Sequence, residues 1–341
     1  MQILILTPGF PQDEQDTTCI PFLQDFVLGM SEHLGAPHIK VISFQYPFSE
    51  ANYTWHEVEV FSAGGRNKKG MRRMFTWRRV MKQAGLWMTE NTVIHSFWLT
   101  EATLIGQQLQ EKYGCRHIAT IMGQDVLPSN RYLKKLSAEK MYIVAPNERT
   151  ASLLHSQKLQ ESAIIPHAIM PLIFARQQRT TDLIWVGSFI ALKQPEQFLL
   201  LVKELLSTNP GISCCMIGEG PLLNKTKQRA EREELPVEIC GKLERPDVLQ
   251  RMERSRILVH TSNYEGHSTV ISEALSKGCR VVCYDVGHTH SDLIHTAGNL
   301  EHMTRIVGAL LDTDMEYLPV YPDQMSEMLQ QYLDLYSGRT Y

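Results

Sequence analysis

The sequence lacks the features that define several protein classes. No apolar run approaches the roughly 20 residues that span a bilayer, and the first predicted strand begins at once in MQILILTPGFP, without a leader of secretory type. The seven cysteines are scattered and contain no CxxC pair, and the formal net charge is only −3. These features argue against a disulfide framework and against a dedicated nucleic-acid binder. We expect a cytoplasmic protein whose thiols are buried and reduced.

The composition that is present is typical of a globular protein. Of 341 residues, 43% are hydrophobic and 21% are charged, and this length suits two domains. Short strand-like runs alternate with helical ones, which predicts an α/β fold with parallel sheets covered by helices on both faces. The predicted strands are 2–8, 38–44, 58–62, 92–97, 117–122, 142–146 and 163–166, then 182–187, 212–218, 237–241, 256–260 and 280–286.

The pattern divides the chain into two doubly wound domains. Between residues 167 and 181, a proline and polar residues replace the periodic pattern, so we place the joint there. The two domains would be 1–170 and 171–321. A last amphipathic helix is predicted from about Pro322 to Tyr336.

The most informative segment is a strand, loop and helix in the second domain. Residues 256–260 read as a buried strand, Tyr264 to His267 as a tight loop, and Ser268 as the N-cap of a helix that runs to Lys277 and stops at Gly278. The first turn of that helix would direct backbone N–H groups at the loop. An anion such as a diphosphate gains hydrogen bonds and the positive end of the helix dipole there.

Two glutamates bracket this helix start. Glu273 lies five residues beyond Ser268, about 7.5 Å along the axis, which is roughly the reach from a phosphate to a ribose. Glu265 falls on the other side, where a transferred sugar would lie. The alternative is a pair of solvated glutamates. The strand end before the loop favours a ligand, because open α/β sheets bind ligands outside the carboxyl ends of their strands.

This Glu-x7-Glu segment resembles the signature of the retaining glycosyltransferases of family 4, of the glycosyl transferases group 1 type. The resemblance extends to IWVGSFIALKQPEQFLLLVKEL, MIGEGPLLN and VEICGKL, at 184–205, 216–224 and 237–243. It implies the GT-B fold, in which two Rossmann-like domains face each other across a cleft. Residues 1–170 would bind the acceptor, 171–321 would bind the nucleotide sugar, and 322–341 would pack back on the first domain.

The resemblance also implies roles for individual residues. Lys193 would pair with the diphosphate, Glu265 would hold the donor sugar, and Glu273 would hold the ribose. Backbone amides of His267, Ser268 and Thr269 would hold phosphate oxygens. The other donor-site residues implied by the resemblance are Gly187, Ser188, Gly218, Gly241, Lys242, Leu243 and Gly266.

One of the donor-site positions departs from the family pattern. Relatives usually carry an arginine where this chain has Ser188, and a hydroxyl cannot replace a bidentate guanidinium on phosphate. Either Lys193 and the helix terminus suffice, or a basic side chain from elsewhere completes the phosphate site.

The first domain offers candidates for the acceptor side of the cleft. His95 ends a predicted strand and matches a histidine-bearing segment of the family. Gly123, Gln124 and Asp125 lie in TIMGQDVLPSN, where Met122 replaces the family's usual histidine. The alternatives are a structural histidine and an aspartate that stabilises its own turn.

No cofactor is expected, and two metal-like patterns are set aside. Asp312 and Asp314 imitate a metal-binding DxD but follow a helix, where a solvated helix end is the simpler interpretation. His288 and His290 have a suitable spacing, yet no third ligand is evident nearby in the sequence. We therefore expect metal-independent transfer.

A basic segment from Arg66 to Lys82 suggests a second partner. Basic residues that flank aromatic ones suit an anionic membrane surface, where a lipid-linked acceptor would be presented. The alternative is a solvated basic face on a helix whose apolar side is core. The basic residues are Arg66, Lys68, Lys69, Arg72, Arg73, Arg78, Arg79 and Lys82, and the interleaved apolar ones are Met71, Met74, Phe75, Trp77 and Met81.

The resemblance, together with these features, implies a retaining, metal-independent hexosyltransferase. It would move a sugar from a nucleotide-diphosphate sugar to a saccharide or lipid-linked acceptor, for a surface polysaccharide, in the cytoplasm or on the inner face of the membrane. The rivals are a sugar-nucleotide epimerase or phosphorylase of the same architecture and a binding module without turnover. A dinucleotide oxidoreductase is disfavoured because no G-x-G-x-x-G follows any predicted strand.

Overall fold

The computed structural model describes residues 1–287 and 290–339. The chain divides into two compact units, Met1–Met170 with Asp323–Tyr341, and Pro171–Pro322. The break lies within the segment 167–181. Among the described residues, no helix is long and apolar enough to cross a membrane.

The first unit is built on an eight-stranded sheet. Its strands are β1 (Gln2–Gly9), β2 (Ile39–Tyr46), β3 (Glu50–Trp55), β4 (Val58–Ala63), β5 (Thr92–Phe97), β6 (His117–Thr120), β7 (Tyr142–Ala145) and β8 (Ala163–Ile164), in the order β3-β4-β2-β1-β5-β6-β7-β8. Its first four α-helices are α1 (Pro21–Leu34), α2 (Met71–Trp87), α3 (Glu101–Tyr113) and α4 (Glu148–Ser156).

One edge strand of this sheet departs from the parallel arrangement. β3 pairs antiparallel with β4, whereas the other pairings in the sheet are parallel. His56 and Glu57 join the two strands with φ of 45° and 64°, as a tight two-residue hairpin with matching twist requires. The sequence pattern did not predict β3, because a half-exposed edge strand carries too few apolar residues to stand out.

The second unit is a six-stranded sheet whose pairings are all parallel. Its strands are β9 (Thr181–Val186), β10 (Cys214–Ile217), β11 (Val237–Gly241), β12 (Ser255–His260), β13 (Arg280–Tyr284) and β14 (Ile294–Ala297), in the order β11-β10-β9-β12-β13-β14. Its helices are α5 (Pro195–Leu205), α6 (Leu223–Arg232), α7 (Arg245–Glu253), α8 (Thr269–Ser276) and α9 (Leu300–Leu311).

The order of the second sheet reverses between β9 and β12. The chain runs outward from β9 through β10 to β11, then returns to the other side of β9 for β12, β13 and β14. Loops that leave adjacent strands at such a switch point diverge, which opens a crevice at their carboxyl ends. The loops after β9 and β12 are therefore the expected ligand-binding elements of this unit.

The last helix, α10 (Met325–Ser337), completes the first unit. It packs against α1 so closely that a Cβ on Gly29 would lie 2.6 Å from Leu329 Cδ1. Tyr332 and Tyr336 are buried, and their hydroxyl groups hydrogen-bond Thr120 at 2.9 Å and His95 at 2.6 Å. One face of the first sheet is thus covered by a helix from the far end of the sequence.

We expect Tyr332→Ala to lower the free energy of unfolding by about 3–5 kcal/mol, because it leaves a large cavity under α10. Tyr113→Ala is the matched control, since this tyrosine is 40% exposed, and it should change stability by no more than about 0.5 kcal/mol. Urea unfolding of the two variants measures the difference. Equal losses would show that α10 does not support the first unit.

Candidate functional site

The loops that follow β9 and β12 are tied together at the switch point. Thr261, directly after β12, donates a hydrogen bond from its hydroxyl to the Lys193 carbonyl at 2.7 Å and accepts one from the indole of Trp185 at 2.9 Å. The Asn263 backbone N–H donates to the Leu192 carbonyl at 2.9 Å. These bonds fix Lys193 beside the loop that carries Glu265.

Lys193, Glu265 and His260 form a half-buried cluster of polar groups between these loops. Lys193 Nζ lies 2.5 Å from Glu265 Oε1, and His260 Nε2 lies 3.1 Å from the same oxygen. Only 22% of the Lys193 side chain and 12% of the Glu265 side chain are exposed. Lys193 and Glu265, which were assigned from separate sequence segments, are therefore in direct contact.

The cluster keeps Glu265 ionised. Burial by itself would raise the pKa of the Glu265 carboxyl, but the hydrogen bond with His260 and the positive charge of Lys193 outweigh burial and lower the pKa to about 2. Near neutral pH the cluster therefore contains a carboxylate and an ammonium in contact. Such a pair is able to exchange partners with a ligand that brings both hydroxyl groups and negative charge.

Glu273 lies on α8 and is paired with a residue that sequence reasoning did not select. Arg245, the first residue of α7, donates from Nε to Glu273 Oε1 at 2.7 Å, and the two side chains are only 15% and 8% exposed. The one available signal was a basic residue just after the predicted Gly241–Leu243 loop. The pairing itself bridges 28 positions, which no local pattern reveals.

The predicted helix start is present, but Ser268 acts differently from the expectation. α8 begins at Thr269 with Ser268 as N-cap residue, and Gly278 follows its end with a φ of 75°. The Ser268 hydroxyl lies 3.2 Å from His260 Nε2, while its backbone N–H donates to the Gly287 carbonyl at 3.2 Å. The Ser268 amide is therefore occupied by protein in this structure and does not point at the loop. His267 is buried, and Thr269 is half-buried.

Three of the predicted donor-site glycines meet at the strand ends. The Gly187 N–H donates to the Ile217 carbonyl at 3.0 Å, and the Gly218 N–H donates to the Gly241 carbonyl at 2.8 Å. Gly218 has a φ of 140°, and a Cβ there would lie 1.9 Å from the Gly187 oxygen. A side chain at Gly218 would thus force the turns after β9 and β10 apart.

The remaining predicted donor-site residues lie around this framework. Ser188 is exposed at the turn after β9, and Gly266 is buried in the loop before α8. Lys242 is exposed, and its Nζ lies 3.9 Å from Glu219 Oε1, whereas Leu243 is half-buried. The structure therefore gathers the second-unit candidates at the carboxyl ends of β9, β10, β11 and β12.

The assignment of His95 to the acceptor side is corrected by its position. Its side chain is fully buried, with Nδ1 2.6 Å from the Tyr336 hydroxyl and Nε2 2.8 Å from the Thr120 hydroxyl. Burial and the neighbouring His117 lower the pKa of His95 well below its usual value. This neutral histidine joins α10 to the sheet and does not present a ring nitrogen to an acceptor.

Asp125 stabilises its own turn, which was the alternative interpretation of the TIMGQDVLPSN segment. The carboxylate accepts hydrogen bonds from the backbone N–H groups of Leu99 at 2.8 Å, Met122 at 3.1 Å and Gly123 at 2.7 Å. Burial raises the pKa of the Asp125 carboxyl although these bonds oppose the rise. Of the three candidates in this loop, Gln124 alone has an exposed side chain.

Of the four residues in the two metal-like patterns, the structure describes Asp312, Asp314 and His290. Asp312 is the C-terminal cap residue of α9, and Asp314 lies in the irregular segment that follows it. Both aspartates are exposed, as is His290. His288 lies outside the described residues.

Part of the chain matches a known protein family. Residues 173–302 match the family described as glycosyl transferases group 1. The matched residues lie within the second unit, Pro171–Pro322. A search of curated proteins finds no significant match to the chain.

Solved structures resemble the whole chain at low sequence identity. Sucrose-phosphate synthase from Thermosynechococcus elongatus is 12% identical, with a TM-score of 0.75 over 99% of both chains. HepE from Anabaena, solved with UDP, is 14% identical, with a TM-score of 0.63 over 100% of this chain and 96% of HepE. These likenesses show the GT-B fold.

A third similar structure is larger than this chain. A point mutant of TarM from S. aureus was solved with fondaparinux, alpha-GlcNAc-glycerol and UDP. It is 13% identical, with a TM-score of 0.61 over 76% of this chain, and the match spans only 59% of TarM. The specific placement in family 4 stays a prediction.

Removing the Lys193 charge should raise the pKa of Glu265. An opposite charge in contact lowers a carboxyl pKa by about 1–3 units, so Lys193→Met should move the Glu265 titration upward by roughly that amount. Carboxyl carbon shifts of 13C-glutamate-labelled protein, recorded against pH, report the change.

Lys203→Met is the control for this titration. Lys203 also pairs with a glutamate, Glu233 at 2.9 Å, but it lies elsewhere in the unit with its side chain 57% exposed. It should leave Glu265 unaffected. If Glu265 titrates identically in wild type and Lys193→Met, the contact described above does not exist in solution.

Proposed function

We propose that this protein is a retaining hexosyltransferase that moves a sugar from a nucleotide-diphosphate sugar to a saccharide or lipid-linked acceptor in surface polysaccharide synthesis. The observation that supports this most is the contact of Lys193 with Glu265 at the switch point of a group 1 domain. The similar structures TarM and HepE were solved with UDP. UDP-sugars are therefore the first donors to test.

The donor would bind by exchanging ion-pair partners. Its diphosphate brings negative charge to Lys193 and to the amino end of α8, where helix dipole and cation act together. The Glu265 carboxylate, released from Lys193, accepts hydrogen bonds from hydroxyl groups of the donor sugar. Because Glu265 is already ionised and oriented by His260, the exchange needs no proton transfer.

Arg245 is our candidate for the residue that orients Glu273. It holds one oxygen of Glu273 and so orients the carboxylate toward the ribose hydroxyl groups of the donor. Arg245 is thus a positioning residue in this proposal.

The proposed transfer is a front-face attack. The acceptor hydroxyl passes its proton to the departing phosphate oxygen as the bond from the sugar to that phosphate breaks. The new bond forms on the same face of the sugar, so the anomeric configuration is retained. This route depends on neutralising the leaving diphosphate and on accurate positioning more than on an enzymic base. Lys193 and the amino end of α8 would neutralise that charge without a metal ion.

Release of nucleoside diphosphate from a panel of UDP-, GDP- and ADP-sugars tests the activity. We expect Lys193→Ala and Glu273→Ala each to lower turnover at least about tenfold, through lost charge neutralisation and positioning, while circular dichroism stays unchanged. Lys203→Ala should match the wild type. Near-normal turnover in both site variants would remove the assigned roles, and donor binding without turnover in the wild type would support a binding module instead.

Metal independence is tested in the same assay. Transfer should continue at an unchanged rate after dialysis against EDTA, because Lys193 and the helix terminus provide the positive charge that metal-dependent transferases take from a cation. Activity that disappears with the chelator and returns with Mg²⁺ or Mn²⁺ would contradict this expectation.

We further propose that α2 places the enzyme on an anionic membrane surface, where a lipid-linked acceptor is available. α2 buries only Thr76, Val80 and Ala84. Met71, Met74 and Phe75 are 78%, 54% and 56% exposed. A merely solvated basic helix would not need three large apolar side chains in water. They are the side chains that an interfacial helix inserts between lipids.

Five of the eight basic residues of this segment lie together. Lys68, Arg72, Arg78, Arg79 and Lys82 line one open cavity with Phe75. Arg79 already pairs with Glu50 at 2.7 Å. The other cations add positive charge beside exposed apolar groups, and this combination favours anionic headgroups.

Co-sedimentation with vesicles tests the membrane proposal. Wild-type protein should bind vesicles that contain phosphatidylglycerol in preference to phosphatidylcholine alone, and added salt should weaken the binding. The double variant Met74→Ser with Phe75→Ser should bind weakly, whereas Leu318→Ser, which alters an exposed leucine of the second unit, should bind like the wild type. Equal binding to both kinds of vesicle would contradict the proposal and indicate that the basic face of α2 is simply solvated.

A further inference from the structure

Three metal-ligating side chains converge on one face of β10 and β11, two strands whose central residues the proposed transfer does not use. Cys215 on β10 is the register partner of Glu238 on the edge strand β11, and Cys240 lies two residues beyond Glu238 on the same strand. Residues two apart on a strand share a face. The ligand atoms of all three lie within 4.8 Å of one another.

The distance between the two sulfurs distinguishes a disulfide bond from a pair of ligands that share one metal ion. Cys215 Sγ and Cys240 Sγ are 3.5 Å apart. A disulfide bond is about 2.05 Å long, so the two sulfurs would have to move together considerably. Two thiolates bound to one tetrahedral zinc ion at about 2.3 Å lie roughly 3.75 Å apart. The observed spacing is close to that of two ligands sharing a cation.

We propose that Cys215, Cys240 and Glu238 bind one thiophilic divalent cation of the zinc class. Two thiolates and a carboxylate suit zinc or cadmium, with water in the fourth position. Cys215 is buried, Cys240 is half-buried and Glu238 is exposed, so a cation reaches the sulfurs from the open edge of β11. Binding forms two metal–sulfur bonds and one metal–oxygen bond and releases the two thiol protons to solvent.

A neighbouring arginine competes with the cation for this site. Arg251 of α7 donates two hydrogen bonds to the Glu238 oxygens, at 2.7 and 2.9 Å. Arg251 therefore neutralises the carboxylate in the free protein, and the cation must displace it from Glu238. This competition predicts that loss of the Arg251 charge strengthens binding.

The site has a structural consequence for the second unit. Cys240 directly precedes Gly241, where β11 ends, and Arg251 lies on the helix that follows. A cation that joins Cys240 to Cys215 holds the edge strand to β10. Because it binds the folded unit better than the unfolded chain, it should raise the melting temperature.

Titration of the reduced, metal-free full-length chain with Cd²⁺ tests the proposal. We expect an ultraviolet thiolate-to-cadmium absorption band that saturates at one equivalent, together with a higher melting temperature. Cys240→Ser should abolish the band, Glu238→Gln should weaken binding at least about tenfold through loss of a ligand charge, and Arg251→Gln should tighten it. Cys215→Ser should behave like Cys240→Ser, and the latter keeps the test valid if replacement of the buried Cys215 unfolds the protein.

Controls separate this site from the other thiols and from the donor site. Cys283→Ser, which alters a buried cysteine of β13, should retain the full band, and Lys193→Ala should bind Cd²⁺ like the wild type whatever its transfer activity. Absence of the band in the wild type, or an equal band in Cys240→Ser, would overturn the proposal. So would formation of a Cys215–Cys240 disulfide with oxidised glutathione in a protein that binds no Cd²⁺.

Discussion

The contact between Lys193 and Glu265 is the interaction on which the proposed donor site depends. It joins the loop after β9 to the loop after β12, which leave the sheet at the point where strand order reverses. Without a charged partner, a carboxylate as buried as Glu265 would be costly to keep ionised. The hydrogen bonds donated by the Thr261 hydroxyl and the Asn263 backbone N–H hold the loops in register around it. Sheet topology, loop pairing and charge therefore support one another at this place.

Both glutamates of the Glu-x7-Glu segment are paired with a cation before any donor arrives. Glu265 has Lys193, and Glu273 has Arg245. Under the proposed function, donor affinity is then a difference between new contacts and contacts given up. A pre-paired site stays ordered when empty, which lowers the conformational cost of binding. The proposed exchange would also disfavour a ligand that brings a diphosphate but has no sugar hydroxyl groups to hydrogen-bond the released carboxylate.

The sequence revealed what depends on local order along the chain. Alternating strands and helices predicted two α/β units, and the Ser268 to Gly278 pattern predicted α8 with its end. The sequence did not reveal contacts between residues that lie far apart along the chain. Arg245 meets Glu273 across 28 positions, and His95 meets Tyr336 across 241. The His95 assignment failed because a histidine at a strand end looks the same whether a helix covers it or solvent does.

The Ser268 amide illustrates a finer limit. A predicted helix start implies unpaired backbone N–H groups. The Ser268 N–H donates instead to the Gly287 carbonyl. Gly287 follows β13, and nothing in the sequence indicated that it would contact this loop. Likewise, β3 was invisible because its alternation is that of an edge, with one face in water. Local patterns identify elements well, whereas the neighbours that occupy their polar groups are decided by packing.

The return of α10 to the first unit imposes an order on folding. The ribosome makes β1 to β8 first, yet the helix that covers one face of their sheet emerges only after the whole second unit. Until then Phe26 and the Thr120 hydroxyl face a gap that Tyr332 later fills. The nascent first unit therefore exposes apolar surface until α10 is made, and such surface favours aggregation during translation.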